Sequence, residues 1–406
     1  MEKADLVIVG GGIFGCAIAY YYSRDNPGKK VVLLERNGLN NAATSRAAAL
    51  MTVVRPKRSY IPLSLETYEV ISHLEKELKE SLGMQRVGML HVAGSERTVN
   101  ALVELEGIAL EFGREVSTLS PSESRQLVPW LKTDELLKNS FMPGEGFCDP
   151  YLLGTFFARC AQQKGAILKQ GVEVEGLIIE NNCVLGVSTS IGKIQAEVVV
   201  DAAGVWAPIL AHQAGFGLPM APVRSQYWIT DRADFLPPNS PMVLLPDAQA
   251  YTRPESGALL VGIRESRSLV TSPVNLPNDL SGFSFSSDGG LADLAESGPK
   301  LARFFPKFYD AGIKHYIAGF SGYTPDGQLV LGAVPGMQGL LVASGCCGAG
   351  ISVAGGVGLG IASLAAGSVN PFDFSEFRLD RFGSVNAFDP EWLNRCAEAR
   401  SRKVSG

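Results

Sequence analysis

Runs of apolar residues divide the first forty residues into a strand, a turn, a helix and a second strand. The apolar run 7–9 leads into the glycine-rich turn 10–15, an apolar helical stretch follows to Tyr22, and a second apolar run covers residues 31–34. Continuous β-branched and leucine runs are typical of strands that are buried on both faces of a parallel sheet. The pattern therefore predicts a βαβ unit.

The pattern farther along predicts a β-rich middle between two parts of α/β character. Helical periodicity predicts helices over 60–82, 98–112, 122–131, 151–164 and 291–305. Strand patterns cover 85–92, 172–180, 184–190, 193–200, 224–230, 241–245, 250–253, 258–264, 317–323 and 339–345. Residues 268–288 are predicted to form a long loop or lid, and residues 348–351 to open the last long helix. This interleaving indicates an α/β protein with two discontinuous domains.

The first glycines have the spacing that a dinucleotide requires. Gly10 permits a tight turn, Gly12 lets the backbone approach a pyrophosphate, and Gly15 lets the helix lie against the sheet. Glu35 ends the second strand, where a carboxylate accepts hydrogen bonds from a ribose. A purely structural glycine turn is the alternative, and the fingerprint alone does not separate a flavin from a nicotinamide nucleotide.

Composition and charge narrow the function classes. The chain of 406 residues is longer than one typical core, and its 46 % apolar content with a net charge of −5 describes an ordinary globular protein. Such a charge gives no reason to expect a nucleic acid or an anionic membrane as partner. Seven scattered cysteines without metal-ligand spacing favour a reducing cytosol, buried thiols and no metal site.

The long apolar stretch 339–367 carries no charge, but glycines interrupt it throughout. We interpret it as a strand, a glycine turn and a buried helix rather than a lipid-facing segment. No transmembrane segment is expected. A cytoplasmic location follows from this composition, with peripheral attachment to the inner membrane as the variant.

Two further landmarks suggest close approach to a bulky ligand. The small-residue segment 44–49 contains Ser45 and Arg46, whose side chains could bond a diphosphate, although an N-cap followed by good helix formers is the alternative. The buried-strand pattern that precedes Asp201 continues into Ala202, Ala203 and Gly204, which leave space beside the backbone.

In this order and at these separations, the landmarks 10–15, 44–49, 201–206, 323–327 and 348–351 resemble the D-amino-acid oxidase superfamily of FAD-dependent oxidoreductases. This superfamily includes glycine oxidase, sarcosine oxidase and D-arginine dehydrogenase. The resemblance implies a glutathione-reductase-like, Rossmann FAD-binding domain, expected over 1–84, 146–218 and 320–380. An interleaved α+β substrate domain, built on a mostly antiparallel sheet, is expected over 85–145 and 219–319.

The resemblance also implies which residues hold non-covalent FAD. Those expected at the cofactor are Gly10, Gly12, Ile13, Phe14, Gly15, Glu35, Arg36, Thr44, Ser45, Arg46, Ala47, Val174, Ala203, Gly204, Trp206, Gly348, Gly350 and Ile351. The last three are expected to face the flavin ring, where a helix N-terminus would stabilise negative charge.

The chemistry implied by the resemblance is hydride transfer from the C–N carbon of an amine or amino acid to flavin, giving an imine that hydrolyses. The electron acceptor would be oxygen or a respiratory quinone-type acceptor. Two alternatives stay open: oxidation of a 2-hydroxy acid on the same fold, and a flavin-binding subunit whose catalytic site has decayed.

The sequence departs from the family at several cationic positions. Ser321 stands where several relatives have a carboxylate-binding arginine, Ser352 where sarcosine oxidase has a lysine, and Leu260 where that enzyme has its oxygen-activating lysine. Gly319 replaces the cysteine that carries covalent flavin, although linkage through Cys346 or Cys347 remains an alternative.

Replacement residues are therefore sought on strands expected to face the flavin. Arg224, Arg253 and Arg264 are the candidate cations, because a buried arginine that points inward requires a carboxylate partner. Tyr251 matches a family tyrosine that lines the substrate pocket, with simple packing as the alternative. Arg55 and Arg58 are expected at the surface or at the pocket entrance.

Overall fold

The computed structural model describes residues 2–403. Within these residues the helices are α1 Ile13–Asp25, α2 Ile61–Leu78, α3 Glu96–Glu111, α4 Pro121–Leu127, α5 Pro150–Gln163, α6 Ala207–Gln213, α7 Leu291–Ala302, α8 Ala354–Ala365 and α9 Pro390–Ser401. The first nine strands are β1 Glu2–Val9, β2 Val31–Glu35, β3 Leu50–Met51, β4 Met89–Ala93, β5 Ser117–Thr118, β6 Lys138–Met142, β7 Gly146–Phe147, β8 Ile167–Gln170 and β9 Val174–Glu180. The others are β10 Cys183–Thr189, β11 Gly192–Asp201, β12 Ala221–Thr230, β13 Met242–Leu245, β14 Ala250–Glu255, β15 Ala258–Ile263, β16 Ile313–Tyr323, β17 Val330–Ala333 and β18 Leu340–Ser344.

The first sheet is a largely parallel sheet with the order β17-β18-β11-β1-β2-β8. Strand β1 pairs in parallel with β11 on one side and β2 on the other, and β18 joins the far side of β11 in parallel. The C-terminal half of β1 is buried because helices cover the sheet, and α1 packs against α5 and α8. As a result, the carboxyl ends of β1, β11 and β18 meet at one edge, where ligands of such sheets bind.

The second sheet has the order β16-β12-β15-β14-β13-β4-β6-β5 and is antiparallel except for the β13–β4 pair. Its longest ladder pairs β12 with β16, from Ala221 opposite Tyr323 to Thr230 opposite Ile313, with one register shift after Ile229. An aromatic core that includes Trp228, Phe304 and Phe305 fills the side covered by α7. Together the two sheets confirm the predicted α/β class with a Rossmann-type sheet and a mostly antiparallel partner.

The two sheets draw on interleaved parts of the chain. Strands of the first sheet come from residues 2–35, 167–201 and 330–344, whereas the second sheet uses 89–142 and 221–323. The β16 strand runs across the boundary expected at residue 320. The division into the domain ranges given above remains a proposal.

Two expectations about the last third of the chain need correction. The helix after β18 begins at Ala354 rather than at residues 348–351, because Cys347 and Gly348 have positive φ and start a turn. It is also not the last long helix, since α9 follows it. The predicted loop over 268–288 is confirmed, with one short 3₁₀ turn at Pro273–Asn275 as its regular structure.

Candidate active site

The turn between β1 and α1 is fixed by two close approaches of backbone to backbone. Gly10 has φ +103°, and a Cβ there would lie 2.5 Å from the carbonyl oxygen of Ala202. A Cβ on Gly15 would lie 2.0 Å from the carbonyl oxygen of Gly10. The space beside Gly12 is less crowded: the nearest atom to a Cβ built on Gly12 is Thr44 Oγ1, at 3.6 Å. The turn therefore leaves room for a phosphate at the N-terminus of α1.

Glu35 is held directly against this turn. Its carboxylate accepts from the Gly11 amide and from the Asn37 amide, each at 2.8 Å. A carboxylate has about four lone-pair sites, so oxygens that bind two amides can still accept from the hydroxyls of a ribose. Next to it, the Arg36 guanidinium lies 4.3 Å from the centroid of the Trp206 ring and 4.0 Å from the Glu173 carboxylate.

The small-residue segment 40–49 closes the same region from the other side. Thr44 Oγ1 accepts from the Ile13 amide at 3.1 Å, which joins the segment to the first turn of α1. Arg46 donates to the carbonyl oxygens of Asn41 at 2.8 Å and Leu280 at 2.9 Å. The segment is therefore attached both to the first sheet and to the long loop.

The loop 268–288 lies against the nucleotide end of the site. Besides Leu280, the carbonyl oxygen of Asn278 accepts from Asn37 Nδ2 at 3.0 Å. Phe283 and Phe285 pack on Phe320 of β16, with ring centroids 5.5 and 4.5 Å away. The loop thus bridges the second sheet and the glycine turn of the first.

The end of β11 supplies another wall of the site. Asp201 is buried, accepts from the Ala203 amide at 3.1 Å through Oδ1, and has no hydrogen-bond partner for Oδ2 among residues 2–403. This burial raises the pKa of Asp201 to about 7. Farther on, the carbonyl oxygen of Gly204 accepts from Ser344 Oγ at 2.8 Å, which joins the segment after β11 to the end of β18.

These segments enclose a cavity of about 690 Å³. All of the residues predicted to hold the nucleotide line it except Gly15 and Ser45. Gly15 serves the packing of α1 instead, and Ser45 Oγ donates to the carbonyl oxygen of Ala42 at 3.2 Å. The cavity is continuous from Gly12 to the turn that carries Gly348, Gly350 and Ile351, so its lining fits an extended dinucleotide such as FAD.

Two of the four predicted catalytic residues face this cavity. Tyr251 of β14 and Arg264, which follows β15, both line it, and the Arg264 guanidinium lies 5.8 Å from the centroid of the Tyr251 ring. Burial raises the pKa of the Tyr251 phenol, so this phenol stays neutral at physiological pH.

The other two arginines lie outside the lining, which corrects the expectation that they point at the substrate. Arg224 is buried and donates through Nη2 to Asp293 at 2.7 Å and to Glu265 at 3.4 Å. Arg253 donates to the carbonyl oxygen of Ala48 at 2.8 Å and to Glu255 at 2.5 Å. Each guanidinium is therefore compensated by the protein itself.

Three cations near the turn at residues 348–351 were either not predicted from the sequence or predicted at another place. Arg55 was expected at the surface or entrance, yet it is buried, lines the cavity and donates to Ser352 Oγ at 2.9 Å. Arg400 and Lys403, at the end of α9, also line the cavity. The sequence held one signal for this helix, the Asp389–Pro390 pair, because aspartate caps a helix and proline favours its first position.

Among the positions that depart from the family pattern, Gly319, Ser321 and Ser352 line the cavity, whereas Leu260 does not. Ser321 Oγ lies 3.2 Å from Cys346 Sγ, and Leu260 is fully buried. At Gly319 a Cβ would lie 2.9 Å from Arg46 Cδ, so the arginine side chain occupies the neighbouring space. Cys346 lines the cavity, whereas Cys347 is buried beside it.

Across residues 2–403, no cluster of three or more His, Cys, Asp or Glu side chains is arranged to hold a metal ion. None of the helices described between those residues is long and apolar enough to cross a bilayer.

Comparison with known proteins gives a consistent assignment. The family model of the DAO family, described as FAD dependent oxidoreductase, matches residues 5–364. Human mitochondrial sarcosine dehydrogenase is 29 % identical over 416 residues, covering 100 % of this chain and 44 % of the relative. Rat mitochondrial dimethylglycine dehydrogenase is 28 % identical over 414 residues, covering 100 % and 47 %. The chain therefore spans less than half the length of these curated relatives.

A solved structure supports the same fold over its full length. The crystal structure of L-proline dehydrogenase from P. horikoshii superposes with a TM-score of 0.82 at 25 % identity, covering 94 % of this chain and 98 % of that one.

Proposed function

Because the chain belongs to the DAO family of FAD-dependent oxidoreductases, we propose that it oxidises a C–N bond of a small N-methylated amino acid. One observation carries the proposal. A single cavity runs from the glycine turn of α1 to the turn at residues 348–351, and there the second sheet adds Tyr251 and Arg264. A substrate at that end would lie between the cofactor's reactive ring and the side chains of the second sheet.

Bound FAD supplies a hydride acceptor, and the resulting imine is released by hydrolysis. The protein's part is to bind the substrate, orient its C–H bond and exclude water. Residues 348–351 would hold the ring from one side, whereas Tyr251 of β14 and Arg264, which follows β15, would face it from the second sheet.

The side chains at this end favour a neutral amine. Arg55 and Arg264 contribute positive charge, and the phenols of Tyr251 and Tyr323 have pKa values raised by burial. Positive charge nearby disfavours the ammonium form of a substrate and lowers its pKa in the site. We therefore expect the substrate to react with its nitrogen lone pair free, without proton transfer to a histidine.

The substrate class is supported by the relatives. Sarcosine dehydrogenase and dimethylglycine dehydrogenase are named for N-methylated derivatives of glycine, and both match the whole of this chain. Since the chain spans less than half of those proteins, the proposal extends only their flavin-dependent oxidation step to this chain.

The proposed electron acceptor is a respiratory quinone-type acceptor. Rapid reaction with oxygen is not expected, because Leu260 stands where sarcosine oxidase has its oxygen-activating lysine. A cytoplasmic location belongs to the same proposal.

Anaerobic stopped-flow reduction of the purified flavoprotein tests this function. Sarcosine, dimethylglycine, glycine, proline and 2-hydroxyglutarate are mixed separately with the enzyme, and the flavin absorbance is followed. We expect the N-methylated amino acids to bleach the flavin and to yield formaldehyde. Bleaching by 2-hydroxyglutarate alone would overturn the proposal in favour of hydroxy-acid oxidation, and bleaching by none of the compounds would favour a non-catalytic flavin subunit.

Tyr251→Phe provides a matched test of the substrate end. We expect slower flavin reduction with unchanged flavin content, because the residue faces the cavity beyond the nucleotide cradle. Tyr309→Phe is the control, since its side chain is exposed on the surface. Acid precipitation is expected to leave a colourless pellet; a yellow pellet would instead indicate linkage through Cys346 or Cys347.

A further inference from the structure

The C-terminal helix α9 is firmly docked on the second sheet. Trp392, Leu393, Cys396 and Ala397 are buried in a cluster with residues of β12 and β16. The Asp389 side chain caps the helix by accepting from the Glu391 amide at 2.9 Å. The packing of α9 therefore fixes where the residues that follow the helix begin.

The last turn of α9 is held by an ion pair at the cavity wall. Arg400 Nη1 donates to Glu265 Oε2 at 2.5 Å and to Ser268 Oγ at 3.1 Å. Both Arg400 and Glu265 are buried, so removal of Glu265 would leave the charge of Arg400 without its carboxylate partner. This pair directs the chain after α9 toward the flavin end of the cavity.

Lys403 lies where two cavities meet. Its Nζ donates to the carbonyl oxygen of Cys347 at 2.9 Å, and it would lie 3.3 Å from a Cβ on Gly348. It lines the 690 Å³ cavity and also an adjoining cavity of about 540 Å³, and Arg55, Tyr323 and Ala349 line both as well. The ammonium group thus stands beside the turn expected to face the flavin ring, on the path between the two spaces.

Cations outnumber carboxylates around Lys403, because the adjoining cavity adds Lys57, Arg395 and Arg402 but also the carboxylates of Asp326 and Glu398. The carboxylates that line the larger cavity belong to its nucleotide end, namely Glu35, Glu173, Glu175 and Asp279. At the opposite end the lining carries the cations described above, and Lys403 forms no ion pair with a carboxylate of residues 2–403. Burial, followed by the positive charges of Arg264 and Arg55, lowers the pKa of Lys403 well below its ordinary value. An anion bound here would compensate this excess.

We propose that Lys403 binds the carboxylate of the substrate, and that α9 is a positioning element that delivers it to the flavin. The inference rests on the proposed function and deepens it, since it requires an anionic substrate. The ammonium group has three N–H donors and uses one on Cys347, so two remain for a carboxylate. The cation absent from the usual positions, Ser321 and Ser352, is thereby supplied from a different part of the chain.

The test compares Lys403→Met with Lys403→Arg and with the control Arg402→Met. Arg402 is the neighbouring cation, but its side chain is 79 % exposed and pairs with Glu398. The flavin spectrum of each oxidised holoenzyme is titrated with acetate and with methoxyacetate. We expect the dissociation constants to rise about 10- to 100-fold in Lys403→Met, to be largely restored in Lys403→Arg, and to stay unchanged in Arg402→Met.

Flavin reduction gives a second readout. The apparent affinity for sarcosine should be lower in Lys403→Met than in the wild type. Dimethylamine is sarcosine without its carboxylate, so it should reduce the flavin of Lys403→Met and of the wild type at equal rates. Unchanged anion binding in Lys403→Met overturns the inference, as does a variant that slows only the reaction of reduced flavin with oxygen. If no amine reduces the wild-type flavin, the proposed function fails, while the acetate titration still decides whether Lys403 binds anions.

Discussion

The Glu35 carboxylate accepts from the Gly11 amide at 2.8 Å, and this bond joins the end of β2 to the glycine turn after β1. A negatively charged acceptor is held where a nucleotide's ribose would lie, and it also stabilises the turn itself. Both roles depend on the same two oxygens.

Glu35→Gln should therefore weaken FAD binding. The amide keeps one acceptor oxygen but loses the charge, and hydrogen bonds to charged groups contribute about 1.5–3 kcal/mol each. We expect the dissociation constant for FAD to rise about 10- to 100-fold, measured by fluorescence titration of the apoprotein. Glu180→Gln, at the exposed end of β9, removes the same charge and should leave binding unchanged. Equal affinities for all three proteins would contradict the assignment of Glu35.

Gly10→Ala should lower the stability of the whole fold, because it combines backbone strain with overlap. The residue has φ +103°, and its Cβ would lie 2.5 Å from the carbonyl oxygen of Ala202. Gly28→Ala is the matched control, with φ +89° and no atom within 4 Å of the new Cβ. Strain alone costs about 1–3 kcal/mol, so we expect Gly10→Ala to lose clearly more than Gly28→Ala in urea denaturation. If both variants lose the same free energy of unfolding, the overlap between the new Cβ and the Ala202 carbonyl oxygen is absent.

Asp201→Asn should stabilise the protein at alkaline pH. The pKa of Asp201 is raised from 3.8 to about 7, so the folded state holds the proton more tightly than the unfolded state. Stability from this group is complete below about pH 4 and is lost as the pH rises toward 7. At pH 8 the variant should exceed the wild type in free energy of unfolding by on the order of 2–4 kcal/mol.

The measurement is urea denaturation of both proteins between pH 4 and pH 8, at one fixed excess of FAD. The two curves should converge at the acid end, because there Asp201 is protonated in both states. A difference that does not vary with pH would show that the carboxyl group does not titrate in this range.

Arg224→Met should impair stability and leave the substrate KM unchanged. The side chain is 4 % exposed and pairs with Asp293 and Glu265. Glu265 keeps Arg400 as a partner, so the loss of Arg224 leaves the partly buried Asp293 carboxylate without its cation. Breaking such a pair costs about 3–5 kcal/mol, whereas the exposed Arg303–Glu135 pair should contribute about 0–1 kcal/mol when Arg303→Met removes it. Kinetics are compared per bound flavin. A raised KM with an unchanged free energy of unfolding would show that Arg224 contacts the substrate.

The nucleotide cradle could be predicted because its requirements are local. Gly10 has positive φ in the tight turn, and the Gly10 carbonyl oxygen leaves no space for a Cβ on Gly15, so both requirements arise within one βαβ unit. The start of α8 could not be located in the same way. Positive φ at Cys347 and Gly348 starts a series of turns that ends where α8 begins, at Ala354. The periodicity of apolar residues does not predict backbone angles, so it could not locate this start.

The substrate end depends on long-range packing instead. The guanidinium groups of Arg224 and Arg264 are chemically equivalent, yet Arg224 pairs with the sequence-distant Asp293 and Glu265 outside the cavity lining, whereas Arg264 lines the cavity. Lys403 reaches the site because α9 docks on β12 and β16. The residues near position 403 contain no sequence pattern that predicts this contact.

The order β18-β11-β1 in the first sheet also constrains how the protein acquires its cofactor during synthesis. The three strands leave the ribosome far apart in time, and the edge of β1 that faces away from β2 stays open until β11 has been made. The cradle lacks the wall that carries Ile351 until that segment has emerged. Flavin loading therefore follows the synthesis of β11 and of the turn after β18, and the nascent chain must keep the open edge of its first strand from pairing with other chains until β11 is made.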